Sequence, residues 1–359
     1  MPRVSVNLTF LLGALACTAC GPSPRPVPPL PPRDDEVHQL PDPPRVAWRN
    51  DLGSGLLSTL TARGPALFAT TTNRTVVALA QDNGRRYWLQ RFAGAVNTGA
   101  LVANNRVYFA TADLKGEAVA LDVARGRRVW SRRVGAVRLS PLLAEQHVLF
   151  ATDSGQLFAL HITDGRVVWR TDVSGAFAVA PVAWRDQLLT ASAADTVYAI
   201  ALADGSIRQR ARIASTPSAP GLLLADTLIL PLQNGAVVGL DANSLRVLFE
   251  HKLDAPALAP PRRVESAVYV LSRNAVLWRL TGGSVEKVVD LDGAARASLA
   301  VVGKLLVVGL LDGRLIALDA AGRRLWEQQL PRSVVAPATP SGTALFVPMI
   351  NGEVWKLER

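Results

Sequence analysis

Cysteine is almost absent from this sequence: the 359 residues contain only Cys17 and Cys20. The body of the chain can therefore form no internal disulfide, no cysteine-ligated zinc site and no thiol nucleophile. Aromatic residues make up only 6% and charged residues 19%, whereas there are 27 glycines and 24 prolines. This composition excludes a chain of long helices and predicts an all-β protein with many turns.

Motifs of catalysis and metal binding are also missing. The four histidines are assigned to the N-terminal segment and to separate structural units, without the spacing that would bring two onto one metal ion; they are His38, His147, His161 and His251. The segment Asp290–Gly293 lacks the remaining positions of a calcium loop and is interpreted as a turn. No nucleophile elbow and no phosphate-binding loop is present. We therefore predict no catalytic, cofactor-binding or metal-binding residues.

The charge is unbalanced, with 39 Lys and Arg against 29 Asp and Glu, a formal net charge of +10. The arginine pairs, such as Arg85-Arg86 and Arg323-Arg324, are scattered along the whole chain instead of forming one basic run. This distribution argues against nucleic-acid binding.

The N-terminus has the pattern of an export signal. Arg3 precedes an apolar stretch, Val4–Ala16, of 13 residues, which is shorter than the roughly 20 that a membrane-spanning helix needs. Thr18-Ala19-Cys20-Gly21 resembles a bacterial lipoprotein signal, which implies that residues 1–19 are removed and that Cys20 is acylated. Cys17 is the alternative lipidated residue, and an ordinary secretory signal is the other reading. Gly21, rather than Asp, after the cysteine favours the outer membrane, with the protein facing the periplasm.

Proline dominates the next segment, residues 20–44, which holds little that could form a core. We predict an extended tether, because such chains favour polyproline II geometry. At about 3 Å per residue it could hold a domain up to about 70 Å from the membrane.

A repeat of about 40 residues occupies the rest of the chain, residues 45–359. Its phrase Ala-Leu-Asp-x-x-x-Gly-x-x-x-Trp is complete at Ala120–Trp130. The equivalent aliphatic positions are 42, 39, 40, 40, 40, 38 and 39 residues apart; they are Leu79, Leu121, Leu160, Ile200, Leu240, Leu280, Leu318 and Leu357. Each unit holds short apolar runs separated by polar, glycine-containing turns, as expected for the four strands of one propeller blade.

The eighth unit is incomplete at the C-terminus, since Leu357 is followed by only two residues. Val46–Leu52 matches Val167–Val173, the outer strand of another unit. We therefore predict an eight-bladed β-propeller with four-stranded blades, whose last blade is closed by the N-terminal strand. Such closure removes exposed sheet edges.

The repeat phrase resembles that of the quinoprotein (PQQ-like) propeller family. Together with the lipoprotein signal it is similar to the branch of that family that serves the outer-membrane β-barrel assembly complex. The resemblance implies a non-enzymatic, lipid-anchored scaffold that binds protein partners. Two alternatives stay open: a propeller serving another envelope complex, and a quinone-cofactor-binding protein.

Family members of the assembly branch use connectors near the middle of the ring to contact a partner, with an apolar and Arg segment and a pair of acidic residues. The matching connectors are Phe177–Pro181 and Ser215–Pro220, and neither contains Arg or Asp. No partner-binding residue is therefore assigned. The family's quinone enzymes hold their cofactor with adjacent cysteines, a calcium site and a stacking tryptophan, which this sequence does not supply.

Overall fold

The structure, a computed structural model, describes residues 26–28, 30, 43–296 and 298–358. Within these residues all regular secondary structure is β. The described part of the chain contains 32 strands: β1 (Arg45–Asp51), β2 (Thr61–Arg63), β3 (Ala66–Thr71), β4 (Thr75–Ala80), β5 (Arg86–Arg91), β6 (Leu101–Ala103), β7 (Arg106–Ala110), β8 (Glu117–Asp122), β9 (Arg128–Arg133), β10 (Leu142–Ala144), β11 (His147–Ala151), β12 (Gln156–His161), β13 (Val167–Asp172), β14 (Val182–Trp184), β15 (Gln187–Ser192), β16 (Thr196–Ala201), β17 (Ile207–Arg212), β18 (Leu222–Leu224), β19 (Thr227–Pro231), β20 (Ala236–Asp241), β21 (Val247–Lys252), β22 (Arg262–Val264), β23 (Ala267–Leu271), β24 (Val276–Thr281), β25 (Ser284–Asp290), β26 (Leu299–Val302), β27 (Leu305–Gly309), β28 (Arg314–Leu318), β29 (Arg324–Gln329), β30 (Thr339–Ser341), β31 (Ala344–Pro348) and β32 (Glu353–Glu358).

The strands form eight antiparallel four-stranded sheets, which are the blades of the predicted propeller. Blades 1 to 7 take four consecutive strands each, from β2–β5 to β26–β29, and blade 8 takes β30, β31, β32 and β1. The innermost strand of blade 1, β2, contacts the innermost strands of both blade 2 and blade 8, so the ring is closed. The prediction of an eight-bladed all-β propeller is confirmed.

Position within the blade explains the sequence pattern of each strand. The second and third strands are packed between neighbouring blades, so β3 and β4 are buried at every residue. Such strands read as continuous apolar runs instead of alternating ones. The outer strands alternate, as in β13, because only one of their faces is covered. The eight aliphatic repeat positions lie in the third strands and are all buried.

Blade 8 is completed by the N-terminal strand, as predicted. Strand β1 pairs antiparallel with β32, from Arg45 opposite Glu358 to Asp51 opposite Glu353. Trp48 of β1 packs against Phe346 with ring centroids 5.8 Å apart, and its Nε1 donates to the Gln81 carbonyl of blade 1 at 3.0 Å. Strand β1, here called the latch, therefore joins blade 8 to blade 1.

Glycine and tryptophan of the repeat phrase join four successive pairs of blades, from blades 8 and 1 to blades 3 and 4. Trp88 in the outer strand of blade 1 donates from Nε1 to the Val123 carbonyl at 2.8 Å, in the turn between β8 and β9 of blade 2. Gly126 of that turn has φ +68°, and a Cβ there would lie 2.6 Å from the Trp88 ring. Glycine is thus required both by the left-handed backbone and by the indole that covers it.

The same turns are closed by aspartate side chains. Asp241 of blade 5 accepts from both the hydroxyl and the N–H of Ser244 at 2.7 Å. These bonds, the hydroxyl first, hold the pKa of Asp241 below its ordinary value because they favour the carboxylate. Asp204 of blade 4 has a lowered pKa for the same reason, with the Ser206 N–H as the main donor. Both carboxylates are therefore ionised at neutral pH, the form that accepts these hydrogen bonds.

The junction between blades 4 and 5 has neither the tryptophan nor the glycine of the repeat phrase. In blade 4, Gln209 stands opposite Ala199, the register position that Trp130 and Trp169 take opposite Ala120 and Ala159. In blade 5, the glycine position is Leu245, which is buried although its φ is +55°. Leu245 packs in the core cluster between blades 4 and 5, at a junction where the outer strand of blade 4 offers no indole.

This pairing predicts a compensating double variant. Gln209→Trp alone should destabilise the protein by about 1–3 kcal/mol, because the indole collides with Leu245. Leu245→Gly alone should also cost about 2 kcal/mol through the cavity it leaves, partly offset by relief of the positive φ. The double variant should restore stability to near wild type, measured by chemical denaturation. Gln209→Ala, at an exposed side chain, is the control, and simple additivity of the two losses would contradict the junction described here.

Candidate interaction surface

The ring has two faces of different construction. The first, here the connector face, carries the connectors between blades and the turns between the second and third strands. Connector and turn are bridged in blade after blade, as Phe177 with Ser192 and Pro217 with Leu232. The second, here the hairpin face, carries the turns between first and second and between third and fourth strands.

The two connectors singled out by sequence are firmly held on the connector face. Phe177 and Val179 are buried, and the Ala178 N–H donates to the Ala191 carbonyl at 2.9 Å. The Ser218 N–H donates to the Pro231 carbonyl at the same distance. These connectors behave as short extra strands, which makes this part of the face rigid. Every residue of these two connectors is buried or half-buried.

An acidic side chain that sequence reasoning missed lies beside the second connector. The Thr216 hydroxyl donates to Asp195 Oδ1 at 2.5 Å, and Asp195 belongs to the turn after β15. The two residues are 21 positions apart in sequence. A search of the connectors alone could not find it, whereas pairing each connector with the turn between the second and third strands of the preceding blade would have done so.

An arginine next to an apolar residue also occurs on this face, one blade earlier than expected. Arg138 lies in the connector between blades 2 and 3, and its Nε donates to Asp153 Oδ2 at 2.6 Å. The Arg138 side chain is 65% exposed, so this ion pair is weak and can exchange partners. Leu139 follows it and packs partly against the core between blades 3 and 4.

Blades 7, 8 and 1 add an apolar edge to the connector face. Leu311, Ile350 and Leu57 are 40%, 42% and 44% exposed. They are linked through backbone contacts: the Ile350 N–H donates to the Ser333 carbonyl at 3.1 Å, and the Ser333 hydroxyl donates to the Leu311 carbonyl. A Cβ on Gly55, close to Leu57, would lie 2.9 Å from the Ile350 carbonyl oxygen. This edge combines exposed aliphatic groups with a fixed backbone, as protein-binding patches do.

The first position of the innermost strands carries a charged residue in one blade only. Arg262 begins β22, where the matching residues of other blades include Leu222 and Thr339. Its Nε donates to the Leu299 carbonyl of blade 7 at 3.2 Å. Burial lowers the pKa of the Arg262 guanidinium, and no described carboxylate forms an ion pair with it. A single backbone contact therefore holds this cation between two blades.

The residues present do not fit a site for the quinone cofactor and calcium ion of the quinoprotein enzymes. Within residues 43–296 and 298–358, no cysteine occurs and no group of three or more His, Cys, Asp or Glu could hold a metal ion. The three tryptophans outside the repeat position are engaged elsewhere: Trp184, Trp278 and Trp355 donate to Asp226, Asp254 and Glu353 at 3.1, 3.2 and 2.9 Å.

The histidines are placed differently from the sequence prediction. His147 and His161 were expected in separate units, but they belong to blade 3 and stand directly opposite each other on β11 and β12. The prediction was wrong because the unit boundary falls before β10, which puts both sides of one hairpin in the same blade. His161 Nδ1 lies 3.7 Å from Asp164 Oδ1.

The residues of the predicted export signal, Cys17, Cys20, His38 and most of segment 20–44 lie outside the described residues. The structure describes residues 26–28 and 30 of that segment, and Val27 and Leu30 contact the propeller. Val27 is buried against blade 2, with its N–H donating to the Ala124 carbonyl at 2.8 Å. No helix among the described residues is long and apolar enough to span a membrane.

Comparison with known proteins shows that one family matches nearly the whole chain. A family described as outer membrane protein assembly factor BamB matches residues 33–142, 115–286, 218–333 and 264–359. The assembly factor of this name from Bordetella pertussis is 22% identical over 270 residues, 64% of this chain and 68% of that protein. The one from Escherichia coli is 31% identical over 137 residues, 37% of this chain and only 34% of that protein.

Solved structures share the fold. The crystal structure of BamB from Moraxella catarrhalis superposes with a TM-score of 0.74 at 16% identity, covering 88% of this chain and all of that one. A quinohemoprotein alcohol dehydrogenase from Comamonas testosteroni superposes with a TM-score of 0.71 at 13% identity, covering 88% of this chain and 76% of that one. The fold by itself is therefore shared by assembly factors and enzymes.

Proposed function

The chain belongs to the family of the outer membrane protein assembly factor BamB, and on this basis we propose that it is a non-enzymatic scaffold for outer-membrane β-barrel assembly. In this proposal a lipid on Cys20, with Cys17 as the alternative, anchors it to the periplasmic side of the outer membrane. Residues 1–19 are the signal peptide, 20–44 the tether and 45–359 the propeller. Its partners are protein components of the β-barrel assembly complex.

The observation that carries the proposal is the family match, which extends from residue 33 to residue 359 and so includes the latch and all eight blades. The described side chains support a binding role in preference to chemistry. The tryptophans that a cofactor could stack on are occupied in blade packing and turn contacts, and the carboxylates lie apart in separate turns.

The connector face is the surface that we propose for the partner. Its backbone is fixed by bridges between connectors and turns, so little conformational entropy is lost on binding. It offers exposed aliphatic groups at Leu57, Ile350 and Leu311, and exchangeable charges at Arg138 and Asp195. Such a mixture suits an extended protein segment, which needs apolar contacts for affinity and charges for register.

A pull-down with matched variants tests this function. The full-length protein, isolated from membrane extracts with its anchor, should co-purify components of the β-barrel assembly complex, identified by mass spectrometry. Leu57→Asp/Ile350→Asp on the connector face should reduce that recovery by about tenfold, since one or two buried contacts carry about 1.4 kcal/mol or more. Leu248→Asp, at a leucine that is 56% exposed on the outer strand of blade 5, is the control.

The outcome in cells distinguishes the alternatives. Loss of the gene should lower the amount of porin in the outer membrane, and the connector-face variant should do the same. Normal porin levels together with recovery of some other envelope protein would move the proposal to another envelope complex. A quinone retained by the purified protein, with dehydrogenase activity, would overturn the scaffold proposal altogether.

A further inference from the structure

The proline-rich segment before the propeller has a binding site on the ring itself. Val27 is only 3% exposed, and it packs in the core cluster between blades 1 and 2 that contains Phe68, Trp88 and Val107. Leu30 packs partly against the same cluster. The segment predicted to be a free tether is therefore attached to the protein at one point.

The site is built from two turns of the hairpin face of blade 2. Asn105 and Arg106 come from the turn between β6 and β7, and Asp122, Val123 and Ala124 from the turn between β8 and β9. They line a cavity of about 300 Å³ beside Val27, Pro28 and Leu30. The Ala124 carbonyl that receives the Val27 N–H lies next to the Val123 carbonyl that receives the Trp88 indole. The site is thus an extension of the blade 1 to blade 2 junction.

The sequence of the segment suits this site. Pro26 and Pro28 are exposed on either side of buried Val27. Proline restricts the backbone before binding, so less conformational freedom is lost when the segment docks. Val27 supplies both the apolar side chain and the N–H that its neighbours lack, and one valine with one hydrogen bond can therefore hold the chain here.

We propose that Val27 pins the anchor segment to blade 2 and thereby orients the ring, with the hairpin face of blades 1 and 2 towards the membrane and the connector face away from it. The orientation rests on the proposed lipid at Cys20, whereas the docking of Val27 does not. Pro26 is six positions after Cys20, so the pinned anchor reaches at most about 21 Å, whereas Arg45 is 25 positions after Cys20, which allows about 85 Å.

Charge on the same part of the hairpin face agrees with this orientation. The turns between third and fourth strands of blades 1 and 2, with the strand residues next to them, carry five exposed arginines against Asp82 and Asp122; the arginines are Arg85, Arg86, Arg125, Arg127 and Arg128. A basic surface held close to a membrane is attracted to anionic headgroups. The partner that fits this surface is therefore an anionic bilayer, brought within reach by the short anchor.

Hydrogen exchange tests the docking directly. Between residues 26 and 30 only Val27 and Leu30 have a backbone N–H, because the other three residues are prolines. In the full mature protein the Val27 amide should exchange about 10- to 100-fold more slowly than an exposed amide, and Val27→Asp should remove that protection while Leu248→Asp leaves it unchanged. Unprotected exchange of the Val27 amide in the wild type would overturn the proposed docking of Val27 on blade 2.

Quenching by lipid headgroups tests the orientation. A single fluorophore is placed by Arg125→Cys on the hairpin face or by Leu114→Cys on the connector face of blade 2; Leu114 is 95% exposed, and β8 separates the two turns. The mature protein is reconstituted in phosphatidylethanolamine and phosphatidylglycerol vesicles with a short-range headgroup quencher. The Arg125→Cys label should be quenched about threefold more, because a six-residue strand spans about 20 Å.

Val27→Asp should make the quenching at the two sites equal, and Leu248→Asp should not. Equal quenching without Val27→Asp would overturn the orientation. Failure of the protein to associate with vesicles would instead contradict the lipid anchor of the proposed function, and the exchange experiment would still decide the docking. A thiol that labels before any cysteine is introduced would show that Cys20 is free and that the anchor is elsewhere.

Discussion

Removal of the N-terminal strand, residues 45–51, is expected to lower the melting temperature by about 10 °C or more and to abolish a single cooperative unfolding transition. The loss of Trp48 from its contacts with Phe346 and the Gln81 carbonyl alone should cost about 3–5 kcal/mol. In a domain of this size each kcal/mol shifts the melting temperature by about 2–4 °C.

A second effect of that deletion follows from ring geometry. Without β1, the edge of β32 is unpaired along six residues, from Glu353 to Glu358. Blade 8 then has no outer strand to contact blade 1, and an exposed edge promotes aggregation. Circular dichroism during heating and light scattering measure both effects.

Deleting residues 25–40 is the control for the latch. That deletion should lower the melting temperature by only a few degrees, since among the described residues it removes only the docked segment with Val27 and Leu30. A ring that melts as cooperatively without residues 45–51 as with them would contradict the closing role of β1.

Replacing Cys20 by serine is expected to move nearly all of the protein from the membrane fraction to the soluble periplasmic fraction. Each buried methylene of a lipid contributes about 0.8 kcal/mol, so loss of the acyl chains removes almost all membrane affinity. Cell fractionation and mass spectrometry of the N-terminal peptide measure the result.

Cys17→Ser is the matched control, because the two cysteines lie three residues apart in the same signal. It should leave the protein on the membrane. Release by Cys17→Ser alone would transfer the anchor to Cys17. Release by neither variant would show that the membrane attachment does not depend on a cysteine-linked lipid.

The repeat by itself predicts most of the architecture. Eight equivalent aliphatic positions predict eight blades, because each position lies in a third strand that neighbouring blades must cover. The match of Val46–Leu52 to an outer strand predicts the latch. The junction of Gln209 with Leu245 could also be inferred from sequence, since the missing tryptophan and the missing glycine fall at equivalent positions of successive units.

The side chains that meet on the connector face and within blade 3 could not be predicted from the repeat pattern. Asp195 and Thr216 meet because a connector bridges to the turn before it in sequence, and a motif read within one connector does not include that turn. His147 and His161 oppose each other because strand register, rather than spacing, decides which residues of a hairpin meet. Both cases depend on hydrogen-bond pairing between strands, which the repeat period does not specify.

The sequence by itself determined the number of blades, the closing strand and the family resemblance, and it predicts an export signal, since each is written as a local or periodic pattern. Only the tertiary structure decided which face is rigid, where charges gather on it and that Val27 docks on blade 2. The proline-rich composition of residues 20–44 predicts an extended chain that cannot form a core of its own. A core supplied by blades 1 and 2 holds Val27 instead, and contacts between such distant segments are decided by the shape of the folded surface.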